Sequence, residues 1–187
     1  MNHDLKQLFK ASLELQERSL DGFPPANKWK TPLCGDIDIL VDREGKWIHE
    51  GREIKRSALV KMFSSLLVRE DNEYYIVTPE EKWRITVELA PLYVIDVQRI
   101  MKSGDQAIVF STRTNEHVVL SKDNPIRIDY SSNSREPIPL VIVRNNMPAL
   151  LSRSVFYQII SWAYEAGSPP HLFIDSMGKR FGLGATE

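Results

Sequence analysis

Two arginine–serine pairs, Arg56-Ser57 and Arg153-Ser154, each stand at the head of an amphipathic stretch. The free N–H groups of a helix start, with a guanidinium beside them, form a receptor for phosphate. Val60 and Tyr157 occupy the positions three residues after the serines, so no capping-box carboxylate competes for those N–H groups. The plainer arrangement is that each serine caps its helix and each arginine is solvated or salt-bridged. A second cluster is Thr78-Pro79-Glu80-Glu81-Lys82-Trp83-Arg84, a polar loop that enters a strand. Alternation puts Lys82 and Arg84 opposite Trp83, so two cations near an aromatic ring could hold a phosphate and stack a base. A solvated outer sheet face has the same pattern.

Most enzyme signatures are absent. No Gly-x-Gly-x-x-Gly motif opens a helix, and Gly178-Lys179 lacks the upstream glycine of a phosphate loop. His49-Glu50 has no second histidine four residues on, and no Gly-x-Ser-x-Gly elbow exists. Asp36, Asp38, Asp42 and Glu44 have partial calcium-loop spacing, but Leu40 and Val41 stand where ligand and glycine are needed. His49 fits either a surface strand histidine or a general acid–base. Cys34, beside Gly35, fits either a small part-buried side chain or a reactive thiol.

The chain has 187 residues, 42% of them hydrophobic, with 24 Lys plus Arg against 25 Asp plus Glu and a net charge of -1. This is globular composition with too little positive charge for nucleic-acid binding. One cysteine excludes an internal disulfide and a multi-cysteine zinc site. The first twenty residues carry charges throughout and have no apolar core of a secretion signal. No run approaches the ~20 apolar residues of a membrane span. The expectation is a soluble, cytoplasmic protein.

The elements that must position these residues follow from periodicity. Leu5, Leu8, Phe9 and Leu13 predict an amphipathic N-terminal helix over 4–17, followed by a loop broken by Pro24, Pro25 and Pro32. Ile37, Ile39 and Val41 alternate with acids and predict a strand, with a hairpin return at 46–49. A helix is predicted over 57–68, then strands at 74–77 and 82–89. Further strands are predicted at 92–101, 106–113, 117–120, 126–130 and 138–144, and a last helix at about 154–165. Residues after 175 read as a loose tail. The stretches 56–67 and 153–164 echo one another, which suggests two copies of a strand–turn–helix unit.

The run Pro32-Leu33-Cys34-Gly35-Asp36-Ile37-Asp38 and the set Gly45-x-Trp47, Gly51, Ile54, Arg56, Leu59-Val60 and Phe63-Ser64 resemble the bacterial family called domain of unknown function 1285. Tyr74-Tyr75-Ile76-Val77-Thr78-Pro79-x-Glu81-Lys82, Val87-Glu88-x-Ala90-Pro91, Val143-Arg144, Ala149-Leu150 and Arg153-x-Val155-Phe156-Tyr157 continue the resemblance. It covers roughly 27–167. The resemblance implies an α+β fold with a duplicated two-unit core of antiparallel strands, one helix each, and a pleckstrin-homology-like C-terminal unit. The N-terminal helix adds to it. The expected divisions are 1–26 for helix and linker, 27–91 and 92–170 for the two units, and 171–187 for the tail. The resemblance carries no established activity; it implies a signalling role and a nucleotide-like ligand between the units. Its matching polar positions are Arg56, Thr78, Glu81, Lys82 and Arg153.

The resulting expectation is a non-enzymatic regulatory protein binding a phosphate-bearing small molecule. Arg56, Lys82 and Arg153 would contact phosphate, and Trp47 or Trp83 would stack on a base. No metal or cofactor is expected. The alternative is a protein-interaction module that presents a sheet edge or helix groove, and a hydrolase built on His49 or Cys34 ranks third.

Overall fold

A computed structural model describes residues 25–102, 104–131, 136–166 and 171–185. The helix expected over 4–17 lies outside the described residues. The chain divides into two compact units, Met1–Pro91 and Leu92–Glu187.

The first unit holds β1 (Leu33–Val41), β2 (Trp47–His49), β3 (Arg52–Glu53), α1 (Ser57–Ser65), β4 (Leu67–Glu70), β5 (Glu73–Val77) and β6 (Lys82–Val87). Its sheet has the order β3-β2-β1-β6-β5-β4, and β1 and β6 run parallel at the centre. The inward positions are those the alternation marks: Ile39 and Val41 on β1 and Ile85 on β6 are buried. Met62, Phe63 and Leu66 are buried from the α1 side, with the Phe63 ring stacked on Trp47 at 6.2 Å.

The second unit holds β7 (Leu92–Lys102), β8 (Asp105–Thr112), β9 (His117–Val119), β10 (Ile126–Tyr130), β11 (Pro137–Arg144), β12 (Met147–Leu151), α2 (Arg153–Glu165), β13 (His171–Ser176) and β14 (Lys179–Ala185). Its six-stranded sheet, read from β9, has the order β9-β8-β7-β12-β11-β10, again with its first and sixth strands parallel. The two sheets therefore share one strand order. The helices do not share a position in it, since α1 follows the third strand and α2 the sixth. The echo between 56–67 and 153–164 thus pairs helices that are not equivalent, and the repeat lies in the strands.

Three stretches differ from the sequence expectation. The helix expected to reach Val68 ends at Ser65, and Leu67–Glu70 is a strand. The Ser64 and Ser65 hydroxyls donate to the Lys61 and Met62 carbonyls, at 2.9 and 2.6 Å, and so compete with the helical bonds there. β12 lies outside the expected strands, and it carries Pro148, a residue that argues against a strand interior. Asn145 and Asn146 both adopt positive φ, 45° and 57°, and form the tight turn that leads into it. Pro148 is tolerated because pairing with β7 begins only at Ala149, while the opposite residue, Ile142, sends its N–H to Pro125.

The third difference is the tail, which is an ordered hairpin. β14 packs against β10 and β13 against β8. Gly184 has φ 107°, and a Cβ there would approach Tyr130 Oη to 3.2 Å, so that approach requires glycine. Ser176 is buried and fastens β13 to the sheet. Its Oγ accepts from Ile108 N–H at 3.0 Å and donates to the Leu120 carbonyl at 2.7 Å.

Candidate functional site

The two helix starts differ. α1 begins at Arg56, whose carbonyl receives the Leu59 and Val60 N–H groups, and no side chain caps it. Its first turn contains no acidic residue. Arg56 is exposed, and its guanidinium makes no hydrogen bond or ion pair among the described residues. α2 is capped by Ser152, whose Oγ accepts from Val155 N–H at 3.3 Å. The capping serine is thus the residue before Arg153, and Arg153 is the exposed first residue of the helix.

Lys82 and Arg84 share the face that alternation predicts, but carboxylates already occupy them. Lys82 Nζ lies 2.5 Å from Glu70 Oε2 and 4.3 Å from the centre of the Tyr75 ring. Arg84 makes a two-pronged contact with Asp36, at 2.7 and 3.0 Å, and a third bond to Glu73 at 2.9 Å. Hydrogen bonding to Arg84 holds the Asp36 carboxyl below the usual carboxylate range, and the same pairings raise the Arg84 guanidinium. A groove of about 320 Å³ beside this clamp is lined by Asp36, Tyr74, Arg84 and Thr86 among others. An incoming phosphate on this face would have to displace carboxylates from both cations.

Thr78 is fully buried and closes the turn into β6. Its Oγ1 accepts from Glu81 N–H at 3.0 Å, while its carbonyl accepts from the Thr31 hydroxyl at 2.7 Å. Glu81 lies 3.4 Å from Trp83 Nε1 and accepts from it. These two residues and Lys82 therefore come together, in a turn whose polar groups satisfy one another. Trp47 is 2% exposed and stacked on Phe63, so its ring offers a ligand no open face. His49 is mostly buried rather than a surface residue. Its Nδ1 donates to the Asp38 carbonyl at 2.6 Å, and its Nε2 lies 4.0 Å from Glu50 Oε1. Cys34 is exposed. Among the described residues no His, Cys, Asp and Glu group is arranged to hold a metal ion.

A larger groove, of about 470 Å³, lies in the second unit. It brings Arg99 of β7 and Gln106 of β8 together with Trp162 and Glu165 of α2 and with Phe173 and Asp175 of β13. The Arg99 guanidinium lies 5.0 Å from the centre of the Trp162 ring and 3.1 Å from Glu165. Arg180 lies 5.8 Å from the Phe173 ring centre and holds both oxygens of Asp175, at 2.9 and 3.1 Å. Those hydrogen bonds outweigh partial burial and keep the Asp175 carboxyl below the ordinary range. This groove is not legible in the sequence, because its last wall reads as tail. The alternation of Leu172, Ile174 and Ser176, all buried, was the available signal.

The strand order and the helix count define a duplicated, β-rich α+β protein. The chain belongs to the family described as domain of unknown function (DUF1285). Residues 24–90 match the model of its N-terminal domain and residues 91–183 that of its C-terminal domain. A crystal structure of a DUF1285 family protein from Silicibacter pomeroyi DSS-3 is similar, with 32% identity and a TM-score of 0.84, covering 96% of this chain and 95% of that one. Another from Shewanella baltica OS155 shares the fold at 22% identity and a TM-score of 0.53, over 67% of this chain and 91% of that one. No protein of curated function matches the sequence. No described helix is long and apolar enough to cross a membrane.

Proposed function

We propose that this chain is a non-catalytic regulatory protein of the cytoplasm that binds a nucleotide-like, phosphate-bearing small molecule, with Arg56 as the principal phosphate contact. The observation that carries this reading is the contrast among the candidate cations. Lys82 and Arg84 are committed to carboxylates. Arg56 stands unpaired among the described residues at a helix start that no side chain caps. An anion there gains both the guanidinium and the helix dipole without displacing a partner. We read the second unit as pleckstrin-homology-like, on the grounds of its mainly antiparallel sheet followed by a helix, with β13–β14 as an addition.

A thermal-shift screen against mono-, di- and cyclic nucleotides and other phosphorylated metabolites tests this. A ligand at 100 times its dissociation constant stabilises by about 2.7 kcal/mol, a shift of roughly 5–10 °C at this size. R56A should abolish the shift without lowering the melting temperature of the free protein, whereas R153A should reduce it far less, because Ser152 already caps α2. No shift with any of these compounds would overturn the reading.

A second reading, a protein-interaction module, is favoured by one observation. Ile95, Ile100 and Met101 on β7 are 49%, 42% and 71% exposed. Stoichiometric recovery of one partner, lost on M101D, would support it.

A further inference from the structure

We propose that the groove of the second unit binds a planar, uncharged heteroaromatic ring bearing N–H donors, of the nucleobase or nucleoside kind. Two aromatic side chains wall the groove, Trp162 from α2 and Phe173 from β13. Its volume of about 470 Å³ falls in the range of small-molecule sites. A guanidinium lies over each ring, and a carboxylate holds each guanidinium: Arg99 with Glu165, and Arg180 with Asp175. The flat, weakly hydrated guanidinium of Arg99 is itself a stacking surface, so a conjugated ring entering here extends an existing stack.

The polar atoms fix the class of ring. Gln106 Nε2 is spent on the Asp175 carbonyl at 2.6 Å, which leaves its Oε1 as an acceptor. Glu165 uses Oε2 on Arg99, which leaves Oε1 as a second acceptor. Arg99 uses Nη1 and keeps its other N–H groups. Amide- or amidine-like ring edges, with donor beside acceptor, match that set. Both guanidinium groups at the groove are already held by carboxylates, Arg99 by Glu165 and Arg180 by Asp175, so a phosphate would meet those carboxylates and no unpaired cation there. This site is separate in residues and in chemistry from the Arg56 reading, and it stands or falls independently of it.

The test is titration of the full chain with adenosine, guanosine, cytidine and uridine and with their 5′-monophosphates, followed by calorimetry and by tryptophan fluorescence. At least one nucleoside should bind and quench fluorescence, and in R56A, which removes the other proposed phosphate contact, its monophosphate should bind more weakly. W162L and F173L should each weaken binding at least about tenfold, the loss of one base–aromatic stack, with circular dichroism confirming the fold. E165Q, which keeps shape and removes charge, should narrow the gap between nucleoside and monophosphate. R56A should leave nucleoside binding unchanged. Absence of binding by all four nucleosides, binding indifferent to both aromatic substitutions, or monophosphates that bind R56A more tightly than their nucleosides do would each overturn the proposal.

Discussion

Ser176→Ala removes one oxygen and strands two backbone groups. Beyond the paired residues Val109 and Val119 the β8–β9 ladder continues with only half its bonds: Leu120 N–H donates to the Ile108 carbonyl at 2.9 Å. The reciprocal bond is replaced by Ser176 Oγ, which takes the Ile108 N–H and gives its own proton to the Leu120 carbonyl. Ser176 is 1% exposed, so water is a poor substitute. An unsatisfied buried donor or acceptor costs about 1–3 kcal/mol. With two such groups and some relaxation, S176A should lose about 2–4 kcal/mol. At 2–4 °C per kcal/mol for a chain of this size, the melting temperature should fall by about 4–16 °C. Urea unfolding gives the energy, and hydrogen exchange locates it, because the Ile108 amide should lose protection before the rest of β8. S154A, at an exposed hydroxyl on α2, should stay within about 0.5 kcal/mol of the parent. A loss below about 0.5 kcal/mol for S176A, with Ile108 exchange unchanged, would refute the role assigned to this hydroxyl.

Two further outcomes follow from charge. Glu116 is buried and receives Arg144 Nε at 2.8 Å and the Thr114 hydroxyl at 3.2 Å. E116A should therefore cost about 1.5–3 kcal/mol, the value of a hydrogen bond to a charged group, by chemical denaturation. Arg180 lowers the Asp175 carboxyl, so that pair contributes stability above the unfolded carboxyl value of about 3.9 and loses it as pH falls through the lower folded value. Both partners are largely exposed, so the contribution should stay below about 1 kcal/mol. Side-chain NMR titration should show the Asp175 value rising towards its ordinary range in R180A.

Local periodicity made most strands legible. The strand expected at 126–130 is β10, and the faces of β1 and β6 are those that alternation marks. What escaped was set by distant partners or by masking signals. The apolar pair Leu66-Leu67 extends the stripe of α1, so only pairing with β5 reveals that Leu67 begins a strand. Pro148 hides β12, although the Asn145-Asn146 turn announces it. The predicted Lys82–Arg84 face was placed correctly, but its neutralisation was not legible, because Asp36 stands 48 residues before Arg84. The same holds for the groove of the second unit, where Arg99 and Glu165 are 66 residues apart. Trp47 shows the converse limit: a tryptophan in a charged hairpin reads as available, and only the packing of Phe63 places it in the core.

The shared strand order has a consequence for how the chain folds. Each sheet consists of two three-stranded meanders, β1–β3 with β4–β6 and β7–β9 with β10–β12, whose hairpins form from neighbouring sequence. They join along one parallel seam, where Leu33 meets Lys82 and Leu92 meets Ala149, partners 49 and 57 residues apart. Closing such a seam carries the largest loop entropy in the sheet. The meanders can therefore assemble early, while each seam waits for its sixth strand. During synthesis, the first unit cannot close its sheet until β6 has left the ribosome. Until then β1 presents a bare edge along its central strand, open to any other extended segment.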